Sequence, residues 1–498
     1  MEMLRFLLKL EGQNRLLQKC TFLQTKRTFS DKNTPKNRII PAWKKSGFIS
    51  KKKLNDIVPP SADSLAANNV DDLLIEWLDR SSTINQHCDI VIIGGGAIGS
   101  SIAYWLKKRI YNEQFKVMVI ERDPMYTRAS TVLSCGGLRQ QFSLRENIEM
   151  SLFGAEFIRN INKYLGIDGQ PAIDAAFHPY GYLMLASEKE AELLMQNSKL
   201  QNFVGAKNIV LSAAKLKNIF PWINTDGIEL GCLGLEKEGW FDPWALLSAL
   251  KKKAITLGAE YLTAEAQGFV YKPVFNGHDE LDKLIVKTKK GDIKTIKFAI
   301  AIVAAGAFSA DVAKMAKIGT GDGLLQMQLP VEPRKRYVYC FHCPGGPGIN
   351  TPYLIDYNGM HVRREGLAET FICGKSPDAS EEPSIVDLSV DYDYFDEKVW
   401  PLLAHRVSAF EKLKLKSSWA GFYEYNIFDQ NGIIGPHPRY KNLMFATGFS
   451  GHGIQHAPAV GRAIAELIVD NKYVSIDLSN FEFERFILRK PMREVNVI

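Results

Sequence analysis

The stretch from Asp89 to Glu121 constrains this 498-residue chain more tightly than any other. An apolar strand, Asp89 to Ile93, runs into Gly94-Gly95-Gly96-Ala97-Ile98-Gly99, then a helical pattern through Leu106, a second strand from Val117 to Ile120, and the acid Glu121. Each part has a physical task. Gly94 makes the tight turn, Gly96 lets backbone approach a pyrophosphate, and Gly99 lets the helix lie close to the sheet. The free N–H groups of Ala97 and Ile98 at the helix start hold negative charge. Glu121, 22 residues beyond Gly99, is placed to accept from ribose hydroxyls. A strand–turn–helix with this spacing predicts a βαβ unit, a parallel sheet and a dinucleotide ligand.

The charge pattern separates a leader from a body. Residues 1–53 carry 14 Lys/Arg against the acids Glu2, Glu11 and Asp31, which leaves 48 bases and 52 acids in the remaining chain. A body of slight negative charge lacks the basic face that phosphate backbones require, so nucleic acid is excluded as a partner. Leu4, Leu7 and Leu8 lie on one helical stripe with Arg5, Lys9 and Arg15 elsewhere, the pattern of an amphipathic transit helix. Arg27-Thr28-Phe29-Ser30 resembles a matrix-presequence processing site. The expectation is a mitochondrial presequence over 1–29 and a tether with an acidic amphipathic helix over 30–85. The address is the mitochondrial matrix, in solution or peripheral to the inner membrane. The longest uncharged run, Ile90 to Leu106, is too short to span a bilayer, where about 20 apolar residues are needed. Seven scattered cysteines argue for a reducing compartment rather than a disulfide framework. Cys340-Phe341-His342-Cys343 has no second pair, and His452 and His456 have no third ligand in view, so no metal site is expected.

The fingerprint does not by itself choose between nicotinamide and flavin dinucleotides. Further along, Arg128 to Arg139 forms a small, glycine-containing loop, an apolar strand ends in Ala305-Gly306-Ala307, and another ends in Gly448-Phe449-Ser450-Gly451-His452-Gly453. The last glycines open a helix whose buried stripe includes Ile454, Ala457, Val460 and Ile464. Together with Gly239-Trp240-Phe241-Asp242-Pro243, Trp419-Ala420-Gly421-Phe422-Tyr423 and Asp429 to Gly435, these segments resemble, in order, the D-amino-acid-oxidase-like flavoproteins, a family that includes sarcosine and dimethylglycine dehydrogenases. Ser134 to Ile148 and Phe177 to Leu183 resemble more closely a mitochondrial branch of that family associated with assembly of respiratory complex I.

The resemblance implies an α/β architecture. A discontinuous Rossmann-type FAD-binding domain (86–150, 236–320, 415–485) is joined to an antiparallel-sheet α+β substrate domain (151–235, 321–414), with a C-terminal tail over 486–498. The implied cofactor is FAD, held by Gly94, Gly96, Ala97, Ile98, Gly99, Glu121 and Arg122, by Ser130, Ser134, Gly136 and Gly137, by Ala305 and Gly306, and by Gly448, Gly451, His452, Gly453 and Ile454. Ser134 stands where covalent members carry histidine, so the flavin is expected to be non-covalent. Gln455 replaces a substrate-binding lysine, and the strand that supplies an oxygen-activating lysine in sarcosine oxidases reads Gly359 to Arg364, without that lysine and with His361 at the aromatic position of the family's aromatic-x-Arg pattern. An electron carrier is therefore the expected acceptor. Arg139, Arg336 and above all Arg363 are candidates for a substrate carboxylate clamp, since guanidinium binds carboxylate in two-pronged fashion; His361, Arg363 and Gln455 are the expected catalytic residues. Two roles follow from the resemblance: a flavin-bound factor that engages complex I subunits or assembly intermediates, and a dehydrogenase of a small secondary amine or N-methyl amino acid.

Overall fold

Two eight-stranded sheets and the helices between them make up the computed structural model, which describes residues 86–274 and 278–496. The presequence, the tether and the acidic helix expected upstream of residue 86 lie outside the described residues. In the first sheet the fingerprint strand Ile90–Ile93 is central. It is flanked in parallel by Val117–Glu121 on one side and Ile300–Val303 on the other. Ala259–Val274 and Leu443–Thr447 extend the parallel core, and antiparallel strands close both ends. The central strand is buried on both faces, which explains why it reads as an unbroken apolar run rather than an alternating one.

The helix Ala97–Arg109 leaves that strand and packs against both Pro243–Thr256 and the C-terminal helix Gly453–Asp470. Pro243–Thr256 starts as its sequence foretells. Asp242 accepts a hydrogen bond from the Trp244 amide at 2.8 Å, and Pro243 occupies the first helical position.

The second sheet runs Lys414–Asn426, Val331–His342, Thr370–Lys375, Met360–Glu365, Tyr353–Ile355, Tyr182–Ala186, Leu230–Gly234, Asn208–Ser212. All its pairings are antiparallel except Tyr353–Ile355 with Tyr182–Ala186. The described structure moves the expected domain limits in three places. Lys414–Asn426 pairs along the full length of Val331–His342, from Val331 opposite Asn426 to His342 opposite Lys414. Residues 415–426 therefore belong to the second sheet, because a long antiparallel pair carries its own register. Arg145–Arg159 packs on the C-terminal helix, so the nucleotide side continues past residue 150. The segment after 486 is no loose tail: Glu494 is 3% exposed and accepts from the Ser143 and Leu144 amides at the start of Arg145–Arg159.

Among the described residues no helix is long and apolar enough to cross a membrane, and no group of His, Cys, Asp and Glu is arranged to hold a metal. Cys343 is buried and donates to the Ala409 carbonyl, as a packed thiol does.

Candidate flavin and substrate site

A cleft with about 1250 Å³ of empty space, mouth included, runs from the fingerprint helix to the second sheet. Its nucleotide end is shaped by Gly94, whose φ of +108° suits glycine and whose absent Cβ would lie 2.2 Å from the Ala304 carbonyl oxygen. Any side chain there would drive the fingerprint strand away from Ala304-Ala305. The Gly95 amide donates to Glu121 Oε2 at 2.8 Å, and the Asp123 amide to Oε1 at 2.8 Å, so the carboxylate stands directly under the glycine turn. Burial pushes the Glu121 carboxyl up, and these amide donors oppose that shift. Ala97, the first helical residue, donates its N–H to the Thr131 hydroxyl at 3.1 Å, and both line the cleft beside Ile98.

The flavin loop forms the middle of the wall. Ser130, Ser134 and Gly137 line it. The Ser134 hydroxyl accepts from the Gly136 amide at 3.1 Å and so shapes the turn. The Gly136 carbonyl accepts from the Phe241 amide at 2.9 Å, which ties the loop to the Gly239–Trp240 strand. At the far end Gly451, His452, Gly453, Ile454 and Gln455 line the wall. Gly451 has φ +96°, and its missing Cβ would sit 2.6 Å from the Tyr423 ring, so only glycine leaves this space open. Gly448 lies behind the wall and donates to Glu424 at 3.1 Å. Arg122 stacks on Phe308 with its guanidinium 4.1 Å from the ring centre, outside the wall.

These surroundings fit FAD. A helix start faces the glycine turn, a half-buried carboxylate underlies it, and a glycine-cleared space lies beside His452. His452 is 4% exposed, and neither of its ring nitrogens is hydrogen-bonded within the described structure, so a flat polar ring in the cleft would satisfy it. Burial holds the His452 imidazole well below its usual pKa and takes His456 to about 3, so both are neutral.

The structure places the three expected catalytic residues differently. His361 lines the cleft, and burial pushes its imidazole down to about 4. Gln455 also lines it, but its Oε1 accepts from the Arg139 amide at 2.8 Å, so it joins the C-terminal helix to the flavin loop. Arg363 does not reach the wall. Its Nε and Nη2 donate to the Cys135 carbonyl at 3.2 and 2.9 Å, and its Nη1 to Glu365 at 2.6 Å. Arg363 shares a strand face with His361, but these bonds draw its guanidinium under the flavin loop, where it fixes that loop rather than clamping a substrate.

Several cleft residues escaped the sequence reading. Tyr182 and Tyr353 pack with their rings tilted and their centres 4.6 Å apart, and both line the cleft. Tyr182 Oη lies 2.0 Å from where a Gly137 Cβ would be. Glu424, one residue past the quoted Trp419–Tyr423 segment, accepts from Thr447 Oγ1 at 3.0 Å, and burial pushes its carboxyl up to about 7. Lys375 lines the cleft from the strand next to His361, with Met360 its register partner, so the cleft holds a lysine one strand away from the expected position. Lys375 arrives in the next strand of the same hairpin, and the pairing register that sets it beside Met360 is not displayed by a single sequence.

Comparison with known proteins places the chain in a family. The FAD-dependent oxidoreductase (DAO) family profile matches residues 89–467. The chain belongs to that family. FAD-dependent oxidoreductase domain-containing protein 1 of Xenopus laevis is 50% identical over 431 residues, covering 83% of this chain and 85% of the relative. Glycine oxidase of Bacillus subtilis is 27% identical, covering 81% of this chain and 98% of its own length. The solved L-proline dehydrogenase from P. horikoshii superposes with a TM-score of 0.68 at 26% identity, covering 82% of this chain and all of that one. This DAO-family chain thus has the two-part α/β fold of its flavoenzyme relatives, and its cofactor is FAD.

Proposed function

We propose that this DAO-family protein oxidises a small amine that also carries a carboxylate, using non-covalent FAD. The observation that carries the reading is the continuous wall from Ala97 and Ile98, through Ser134 and Gly137, to His361, Tyr353 and Gly453. A cofactor held at the fingerprint end has its reactive end beside groups suited to an amine. Bound flavin supplies the two-electron acceptor for a C–H bond beside nitrogen. The protein's own groups do the positioning. His361 is neutral at physiological pH, so its lone pair accepts an amine N–H instead of repelling an ammonium. Burial keeps the Tyr353 phenol protonated, a neutral donor at the same wall. The names of two relatives, a glycine oxidase and an L-proline dehydrogenase, support an amine with a carboxylate as substrate class. An electron carrier is the proposed acceptor, since the strand Met360–Glu365 carries no lysine; Lys375 reaches the wall from the neighbouring strand.

Anaerobic mixing of the purified flavoprotein with secondary amines, N-methyl amino acids and amino acids tests this reading. Bleaching of the flavin band by at least one of them is expected; no bleaching by any, with normal reduction by dithionite, refutes it.

A second reading is a mitochondrial role in assembly of complex I, with subunits or assembly intermediates as partners. Its support is the close resemblance over Ser134 to Ile148 and Phe177 to Leu183. In the structure the second segment builds an aromatic stack, with His178 5.5 Å from Trp240 beneath the flavin loop. Complex I content is the measurement, in cells that lack the protein and carry either wild type or a Gly96→Trp variant. Restoration by wild type is expected. No loss of complex I in the deleted cells removes this reading.

A further inference from the structure

Arg336 lines the cleft from the strand Val331–His342 and is 9% exposed. Its guanidinium is engaged by a carboxylate from the protein itself: Nη1 and Nη2 donate to the two oxygens of Glu382 at 2.8 and 2.9 Å. This two-pronged geometry is the one guanidinium makes with a free carboxylate ligand. Arg334, on the same face of the strand, adds a third contact to Glu382 at 3.1 Å. The segment carrying Glu382 is acidic and is tied to basic groups of the second sheet at other points. Asp387 lies 3.5 Å from Lys335 and Asp378 4.0 Å from Lys375, another cleft residue.

The segment is fixed near its ends, by buried Pro377 and by the Asp391 carbonyl, which accepts from Tyr339 Oη at 2.5 Å, and between them by polar contacts, Lys398 to Glu381 at 2.7 Å and Lys335 to the Ser389 carbonyl at 3.2 Å. Ile385 is 45% exposed and Val386 84% exposed, so these apolar side chains are not anchored in the core. An open hollow with about 1030 Å³ of empty space, mouth included, lined by Lys335, Tyr337, Pro383, Ser384 and Val390, lies alongside it. The outer pairs, whose Asp387 and Asp378 carboxylates are exposed, contribute little and exchange readily, whereas the nearly buried Arg336 guanidinium needs an anion at all times. One Arg336 atom, Nε, is buried without a hydrogen bond within the described structure, so Glu382 does not exhaust the site.

We propose that Arg336 is the anchor for the substrate carboxylate and that Glu382 occupies it as an internal stand-in, so that an anionic amine enters by displacing the segment 376–391. This rests on the amine-oxidation reading and adds to it the residue that selects for negative charge and the contact that gates the site. Lys375 and Arg334 then face the entering anion. Selection for carboxylate over amide follows from charge and not from shape.

The test uses the full-length FAD-loaded protein and benzoate as a carboxylate probe, with benzamide as its neutral counterpart, read by perturbation of the flavin absorption band. Glu382→Gln is expected to tighten benzoate binding by about tenfold, a 1.4 kcal/mol change, and to leave benzamide unaffected. Arg336→Met is expected to weaken benzoate by at least that factor, and Glu382→Gln is not expected to rescue it. In the wild type, benzoate is expected to raise hydrogen exchange in residues 376–391, a readout independent of how well Arg336→Met folds. Equal benzoate affinity in wild type and Glu382→Gln overturns the proposal, as does equal tightening of benzamide or unchanged exchange in the segment. If no amine bleaches the flavin while the benzoate pattern holds, the oxidation reading fails and the anion gate stands. If amines bleach it and the benzoate pattern is absent, the gate fails alone.

Discussion

Replacing Glu494 with alanine tests how the C-terminal strap supports the flavin loop. Its buried carboxylate accepts from the Ser143 amide and hydroxyl, each at 2.7 Å, from the Leu144 amide at 3.2 Å and from Asn147 Nδ2 at 3.0 Å. Two of these donors are free N–H groups at the start of Arg145–Arg159, whose own cap residue, Leu144, cannot supply an acceptor. The next residues of the strap reach the flavin loop. The Asn496 carbonyl accepts from Arg139, and Asn496 Nδ2 donates to the Gln141 carbonyl at 3.1 Å. Alanine strands several buried donors, each costing about 1–3 kcal/mol, and removes a charge worth up to about 2 kcal/mol at a helix start. Allowing for relaxation and water entry, the expected loss is about 4 kcal/mol. Glu494→Gln keeps an acceptor and should lose about half of that. The assay is urea unfolding followed by released-flavin fluorescence and far-ultraviolet circular dichroism, with FAD content measured on the purified protein. Glu494→Ala should move both transitions to lower urea and lower FAD occupancy, with Glu494→Gln between it and wild type. Transitions within about 0.5 kcal/mol of wild type, the range of ordinary surface changes, with full FAD content would refute the reasoning.

Gly451→Ala forces a Cβ into the Tyr423 ring at a backbone angle hostile to side chains, so FAD occupancy should fall sharply while secondary structure is retained by circular dichroism. Arg363→Lys removes the two-pronged grip on the Cys135 carbonyl; weaker FAD affinity with an unchanged KM for amine is expected, and the reverse pattern would restore Arg363 as a substrate clamp. Acid should destabilise the fold through His361 and His437, both pushed by burial to about 4. The unfolded chain binds protons from pH ~6.5 downward and the folded chain only near 4, so stability present above pH ~6.5 is lost as pH falls toward 4. Each contributes on the order of 3 kcal/mol by the acid end of that window, and His437→Asn should flatten the measured pH dependence of unfolding.

The parts legible in the sequence are those whose chemistry is local. Gly94 to Gly99 with Glu121 forms one continuous βαβ unit, so its role could be read from spacing. Asp242-Pro243 likewise announced a helix start that the structure contains. Gly448 to Gly453 carries a turn and a helix start in six residues. What escaped depends on contacts distant in sequence. Arg363 looked like a clamp because its strand resembled one, yet its use is decided by the Cys135 carbonyl, 228 residues earlier. Residues 415–426 looked continuous with the nucleotide segments, but their hydrogen bonds go to Val331–His342. Glu494 is an ordinary acid near a chain end until the fold brings it to Ser143, 351 residues away. Lys375 comes to the cleft in the hairpin strand after Met360–Glu365, and Glu382 meets the cleft residue Arg336 only by ion pairing, which has no sequence spacing.

Identification of the flavin in the full-length protein after acid precipitation tests the central claim most directly. The account predicts about one FAD per chain, as one cleft per chain implies, released entirely into the supernatant by acid, and lost in Gly451→Ala. A colourless protein, or yellow colour remaining with the acid pellet, would contradict a non-covalent FAD in this cleft.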